Sequence, residues 1–268
     1  MLAGAASPFD LEAGYCLNQL LALPLVDQVI PAEQVKPLQL LADDPARPGD
    51  LRIKAQEEVL RLTSLPVAGR PAAEYLWLRG VLAGAAGTTN AGDSDLPGQV
   101  EQYRPFLMKC FAFQDRWPET ADYLLQLAGN PNVPAGLRNA ACSALSSWDQ
   151  NVFNFQHPDA RFDRMFHVYS GLLADSNPDL RIMGMAILFD RTMTIMDMQS
   201  PPEPTQHYGN LAVSALRQAI ARETDTRVLR FFQSRLSMYE DRQTHPDLRR
   251  QMRELEMNHG GTNGGLHP

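Results

Sequence analysis

The amino-acid sequence predicts an all-α protein in which antiparallel helix pairs stack on one another. Apolar residues recur at steps of three and four along most of the 268-residue chain, as they do on one face of a helix. Proline stands at the start of several of these segments, where it favours the first turn of a helix. A Leu-Arg step also recurs at a spacing typical of helical repeats.

The hydrophobic period places the helices in chain order. The predicted helices cover residues 8–23, 49–62, 71–86, 98–114, 118–128, 134–148, 159–174, 178–198, 205–221, 225–239 and 246–257. Prolines interrupt segment 31–41, to which no helix is assigned. Segment 87–98 is rich in Gly, Asn, Asp and Ser and is predicted to be an exposed loop, and the Gly-rich tail 258–268 is predicted to be disordered.

The most informative signal is the recurring step itself. Leu137-Arg138 and Leu180-Arg181 lie 43 residues apart, Leu51-Arg52 precedes the first by 86, and Thr226-Arg227 follows the second by 46. A period in the low forties is that of repeats built from packed helices. Such repeats must stack, because one helix pair cannot bury its apolar face alone.

This pattern resembles HEAT repeats, in which an Asp near the turn precedes an Arg of the second helix by six residues, and the two form a ladder between repeats. Asp175 precedes Arg181 by six and Asn132 precedes Arg138 by six, whereas the other two copies have alanine there and the copy expected near residue 95 is missing. The resemblance implies a right-handed α-solenoid of about five antiparallel pairs with capping helices, formed by residues 1–257 as a single domain. A globular helical bundle is the alternative.

Composition restricts the class of partner and the compartment. A net charge of −7 and a pI near 5.4 argue against bulk attraction to nucleic acid or anionic lipid. No segment approaches the roughly 20 apolar residues of a membrane span. The three cysteines are widely spaced and are expected to be buried free thiols. This expectation favours the cytoplasm, although the small-residue start LAGAAS leaves open an export signal that has been removed.

Patterns that carry catalysis or bind metal are weak. The sequence has no GxSxG, HExxH, GxGxxG or P-loop motif. Asp159, Asp163 and His167 follow His157 and share a helical face, but Asp159 and His167 are two turns apart, about 12 Å of rise, and cannot hold one ion together. We therefore predict no catalytic residue, metal or cofactor. A helical enzyme whose site is not visible in the sequence is an alternative.

The resemblance implies a non-catalytic scaffold or adaptor that binds a protein or peptide on the concave face, which the second helices line. The predicted binding residues lie early in these helices or are aromatic anchors on a connection: Arg138, Asn139, Arg181, Arg227, Trp148, Phe153 and Phe155. If Arg138 and Arg181 form the ladder, they are structural instead. Nucleic-acid binding by the Arg-rich segment 217–253 is a further alternative, weakened by the acidic residues within it.

Overall fold

The computed structural model describes residues 4, 7–22, 30–63, 68–87, 96–146, 160–197 and 203–244. These residues form eleven α-helices and no strand. The helices are α1 (Asp10–Leu21), α2 (Ala32–Asp43), α3 (Gly49–Leu62), α4 (Arg70–Ala86), α5 (Leu96–Phe111), α6 (Glu119–Gly129), α7 (Ala135–Ser146), α8 (Ala160–Leu172), α9 (Pro178–Asp197), α10 (Glu203–Arg222) and α11 (Thr226–Thr244). The prediction of an all-α protein is confirmed.

The largest difference from the predicted elements is α2, which the sequence argument did not assign. This helix is continuous through Pro37, although proline has no N–H to donate to the preceding turn. Its apolar face compensates, because Val35, Leu38 and Ala42 are buried. The predicted helix 246–257, the tail 258–268 and most of the predicted loop 87–98 lie outside the described residues.

The chain divides into two compact units, Met1–Val152 and Phe153–Pro268. In the first unit, α2 packs on α3, α4 on α5 and α6 on α7. In addition α1, α3, α5 and α7 follow one another in a row, each packed against the next. Leu17, Leu38 and Val59 belong to a buried cluster that joins α1, α2 and α3.

In the second unit, α8 packs on α9 and α10 on α11, and α9 also contacts both α10 and α11. Helices α8 and α9 approach closely at Gly184, where an added Cβ would lie 2.7 Å from the Cβ of Leu172. None of the described helices is both long enough and apolar enough to cross a membrane. The right-handed solenoid, the number of helix pairs and the single domain 1–257 stay predictions.

Candidate functional site

The recurring Leu-Arg step has a structural role in the first unit. Arg52 and Arg138 are each the fourth residue of their helix, α3 or α7, and each is only 6% exposed. The Nε–H of Arg52 donates to the carbonyl of Ala42 at 2.9 Å, and the Nε–H of Arg138 donates to that of Ala128 at 3.1 Å. Both carbonyls belong to the next-to-last residue of the preceding helix, where main-chain acceptors lack an intrahelical partner. The arginine thus ties the end of one helix to the start of the next.

In the second unit the step makes ion pairs instead. Arg181, again the fourth residue of its helix, donates from Nη1 to the main-chain oxygen of Asp175 at 2.8 Å. Its Nε and Nη2 donate to the two carboxylate oxygens of Glu223 at 2.8 and 3.1 Å. Arg227 donates in the opposite direction, to Asp179 at 2.7 Å. These two pairs link the first turn of α9 to the start of α11.

The predicted binding residues differ in exposure. Arg138 and Asn139 are buried, which favours the structural role over contact with a partner. The side chain of Arg181 is 14% exposed, whereas that of Arg227 is 60% exposed. The predicted aromatic anchors Trp148, Phe153 and Phe155 lie outside the described residues.

Two arginines of the segment 217–253 and the side chain of His167 in α8 contact neighbours within the second unit, and residues 245–253 of that segment lie outside the described residues. Arg217 pairs with Glu240 at 3.2 Å, and the Arg235 guanidinium lies 4.9 Å from the ring centre of Phe231. The Nδ1 of His167 lies 2.8 Å from the main-chain oxygen four residues before it. Within the described ranges, no three His, Cys, Asp or Glu side chains are grouped so that they could hold a metal ion.

A cleft of about 470 Å³ opens in the first unit, between the end of α2, the start of α3, the second half of α4 and the middle of α5. Its lining combines small side chains of α4 with polar and aromatic groups of the neighbouring segments: Asp43, Pro45, Arg52, Trp77, Gly80, Val81, Gly84, Ala85, Gln102 and Tyr103. A volume of this size is that of a small-molecule or side-chain site, and such sites typically hold few polar groups among apolar ones.

Arg52 is the buried charge of this cleft. Its guanidinium carbon lies 4.8 Å from the ring centre of Phe106, and Nε is occupied by the Ala42 carbonyl. The terminal amino groups Nη1 and Nη2 make no hydrogen bond and no ion pair with any described residue. Neither is among the fully buried polar atoms that lack a partner, so both keep accessible surface that a ligand could reach. The cleft therefore contains a cation whose strongest hydrogen-bond donors are unused.

The acids nearest to Arg52 are held by other donors. Asp43 accepts from the Nε1–H of Trp77 at 3.2 Å and from Gln39 at 2.9 Å. Asp44 accepts from the main-chain N–H two residues on, at 3.0 Å. Burial lowers the pKa of the Arg52 guanidinium, and the charges of the two carboxylates offset part of this effect. An arginine remains a cation through such a shift.

The other walls are open or neutral. An added Cβ at Gly80 or at Gly84 would meet no atom within 4 Å, so both glycines leave space above α4. Burial raises the pKa of the Tyr103 hydroxyl, and Arg52 partly offsets this. Tyr103 is therefore a neutral phenol at physiological pH, and its hydroxyl makes no hydrogen bond within the described part of the chain.

No protein-family model, curated protein or solved structure matches the chain. The assignment of a site consequently depends on the geometry alone. Sequence reasoning noted Arg52 only as a copy of the repeat and did not single out Trp77, Gly80 or Gly84. A signal was present, because these three residues lie three and four positions apart, on one face of a helix.

A second cavity, of about 490 Å³, lies near the start of α1 and α2 and is lined in part by Arg47. This arginine is satisfied, because its guanidinium donates to the carbonyls of Ser7 and Pro8 and pairs with Asp10 at 3.1 Å. A third cavity, of about 400 Å³, contains Arg217, which pairs with Glu240. The cleft at Arg52 differs from both, because its cation is buried and has no acidic partner among the described residues, whereas Lys36, which also lines the second cavity, is exposed.

Proposed function

We propose that the protein is a non-catalytic binding module for a protein or peptide, and that the cleft at Arg52 receives a side chain or chain end of that partner. The observation that supports this most is the open wall of Gly80 and Gly84 beside a buried, unpaired Arg52. Glycine in a helix interior costs about 1 kcal/mol relative to alanine. Two such residues on one face therefore suggest a requirement for space.

The row formed by α1, α3, α5 and α7 supports the stacked architecture on which this proposal is built. Successive second helices that pack side by side would produce the extended surface with which helical-repeat proteins bind other proteins. Arg52 and Tyr103 belong to neighbouring members of this row, α3 and α5, while the glycine wall belongs to α4. The cleft thus lies at the edge of that surface, where a bound chain could place one side chain.

The polar groups of the cleft support binding over catalysis. Its carboxylate, Asp43, is held by Gln39 and Trp77 and is not placed against a hydroxyl or thiol nucleophile of the lining. General acid-base chemistry requires a titratable group within hydrogen-bond reach of the reacting group. Arg52 and Tyr103 instead offer hydrogen-bond donors that no described residue uses, and these suit recognition of an acceptor.

The experiment selects peptides from a random library on the immobilised full chain and measures their affinities by calorimetry for three proteins. Gly84→Leu fills the cleft, whereas Gly171→Leu places the same side chain on α8, where an added Cβ also meets nothing within 4 Å. Selected peptides should bind Gly84→Leu at least tenfold more weakly than wild type and should bind Gly171→Leu as well as wild type. Equal affinity for both variants would refute the cleft, and failure to select any peptide would refute the function.

A further inference from the structure

We propose that the cleft recognises a carboxylate attached to an apolar group, with the two terminal amino groups of Arg52 as its donors and the open face of Gly80 and Gly84 as the seat of the apolar group. The inference depends on the proposed binding function and specifies the chemistry of the ligand. It predicts that a partner peptide loses its affinity when this one negative charge is removed.

The first argument is the state of the Arg52 guanidinium. Residue Arg52 is 94% buried and lines the cleft, yet its Nη1 and Nη2 have no partner among the described residues. Its fixed Nε–H bond to Ala42 and its position over the Phe106 ring hold the guanidinium plane in one orientation. A planar pair of donors fixed in this way matches the two oxygens of a carboxylate.

The second argument is the comparison with Arg138, which occupies the same place in α7 and makes the same Nε–H bond to the preceding helix. Arg138 lines none of the three cavities described above. The bond that links the two helices is therefore not by itself an account of the cleft at Arg52. The open space at Arg52 needs a separate explanation, and a ligand that reaches the unused donors supplies one.

The third argument selects a carboxylate over a phosphate. The cleft has one unpaired cation, and the carboxylates of Asp43 and Asp44 are close enough to affect its titration. A carboxylate carries one negative charge, whereas a phosphate monoester carries about 1.5–2 at neutral pH. Asp43 repels either anion, but it repels the more highly charged phosphate more strongly, while Arg52 supplies one positive charge to both. The neutral Tyr103 hydroxyl and the indole of Trp77 complete a lining suited to a singly charged, partly apolar group.

The test titrates four probes into the full chain. Binding of each probe is measured from the chemical shift of the Trp77 indole N–H in nitrogen-edited NMR spectra. N-acetylphenylalanine carries the α-carboxylate, and N-acetylphenylalanine amide is its neutral counterpart. N-acetyl-phenylalanyl-glutamate amide presents the carboxylate on a side chain, and inorganic phosphate tests the competing anion. At least one of the two carboxylate probes should bind at least tenfold more tightly than the neutral amide. The tighter of the two shows whether the recognised carboxylate is a chain end or a side chain. Equal binding of the neutral amide, or tighter binding of phosphate, would overturn the inference.

Matched variants separate recognition from stability. Arg52→Gln and Arg138→Gln both remove a buried arginine that bonds to the preceding helix, so both should lower the unfolding midpoint. Only Arg52→Gln should weaken the carboxylate probe, by at least tenfold, and retained affinity in this variant would refute the role of Arg52. If Arg52→Gln does not fold, Gly84→Leu keeps the test decisive, because it must abolish probe binding in a folded protein. Peptides that are blocked by Gly84→Leu but bind without any carboxylate would refute this inference and leave the proposed function intact.

Discussion

The ion pair between Arg181 and Glu223 should be the stronger of the two ion pairs that link the first turn of α9 to residues 223–227, which include the start of α11. Arg181 is 14% exposed and Glu223 is 5% exposed, and two charge-assisted bonds of 2.8 and 3.1 Å join them. Removing one member of a buried pair costs about 3–5 kcal/mol, and the residual exposure of Arg181 favours the lower end. We expect Arg181→Ala to cost about 3 kcal/mol, because it also removes the bond to the Asp175 main chain.

A double-mutant cycle isolates the pair itself. Arg181→Ala, Glu223→Ala and the double variant should give a coupling free energy of about 2 kcal/mol, the value of a charge-assisted hydrogen bond between poorly solvated groups. The matched cycle at Arg227 and Asp179 should give less than about 1 kcal/mol, because those side chains are 60% and 41% exposed. Urea unfolding followed by far-ultraviolet circular dichroism measures both cycles, since the described residues of both units are largely helical.

The pH dependence of this coupling has a defined direction. Burial raises the pKa of Glu223, but the main-chain N–H of Asp225 and the Arg181 guanidinium outweigh it and hold the pKa below its ordinary value of 4.5. The stabilisation is therefore complete above pH 4.5 and is lost as the pH falls through the lowered pKa. A coupling no larger than that of the exposed pair would refute the structural ladder. Unchanged stability of Arg181→Ala together with lost peptide binding would show instead that Arg181 contacts the partner.

Three further predictions concern packing and buried titratable groups. Gly80→Ala should raise the free energy of unfolding by about 1 kcal/mol, because the new methyl group meets open space. Gly184→Ala should lower the free energy of unfolding by about 1–3 kcal/mol, because the new Cβ would lie 2.7 Å from that of Leu172. Urea midpoints should show both changes, and equal effects would contradict the packing of α8 on α9. Burial raises the pKa of Glu74 more than Lys109 lowers it, so the contribution of Glu74 to stability falls as the pH rises from 4.5 through the raised pKa. Glu74→Gln should flatten that fall in a pH series of urea midpoints. An unchanged slope would contradict the raised pKa. Burial raises the pKa of the Cys110 thiol to about 12, so a disulfide reagent at pH 8 should modify the partly exposed Cys16 first. Peptide mass mapping would show which cysteine is modified. Faster modification of Cys110 would contradict its burial.

The helices could be predicted from the sequence wherever burial repeats with the helical period. Helix α3 spans the predicted range 49–62, because its buried Leu51, Ala55 and Val59 recur every four residues. Helix α2 was missed because a proline such as Pro37 normally ends a helix. The sequence shows the cost of this proline, but it does not show the burial of the helix that offsets the cost. Local propensity was overruled here by packing against α3.

The cleft could not be predicted, because its lining comes from four segments that the helix packing brings together. The Leu-Arg repeat marked Arg52, but spacing alone cannot show whether the terminal amino groups of an arginine find a partner. Gly80 and Gly84 lay inside a predicted helix, where two glycines on the Trp77 face were an unexplained cost. That cost was the local indication of a site, and it could be interpreted only once the space above α4 was known.

Arg52 and Arg138 show why a departure from the repeat carries more functional information than the repeat itself. Both arginines bond to a carbonyl at the end of the preceding helix, so this shared bond accounts for stability in both copies. Arg138 lines none of the three cavities described above. Beside Arg52 the glycines of α4 leave the space open. Since the two copies share the same helix-linking bond, our proposal of a ligand at Arg52 depends on the open space beside that arginine and not on the bond.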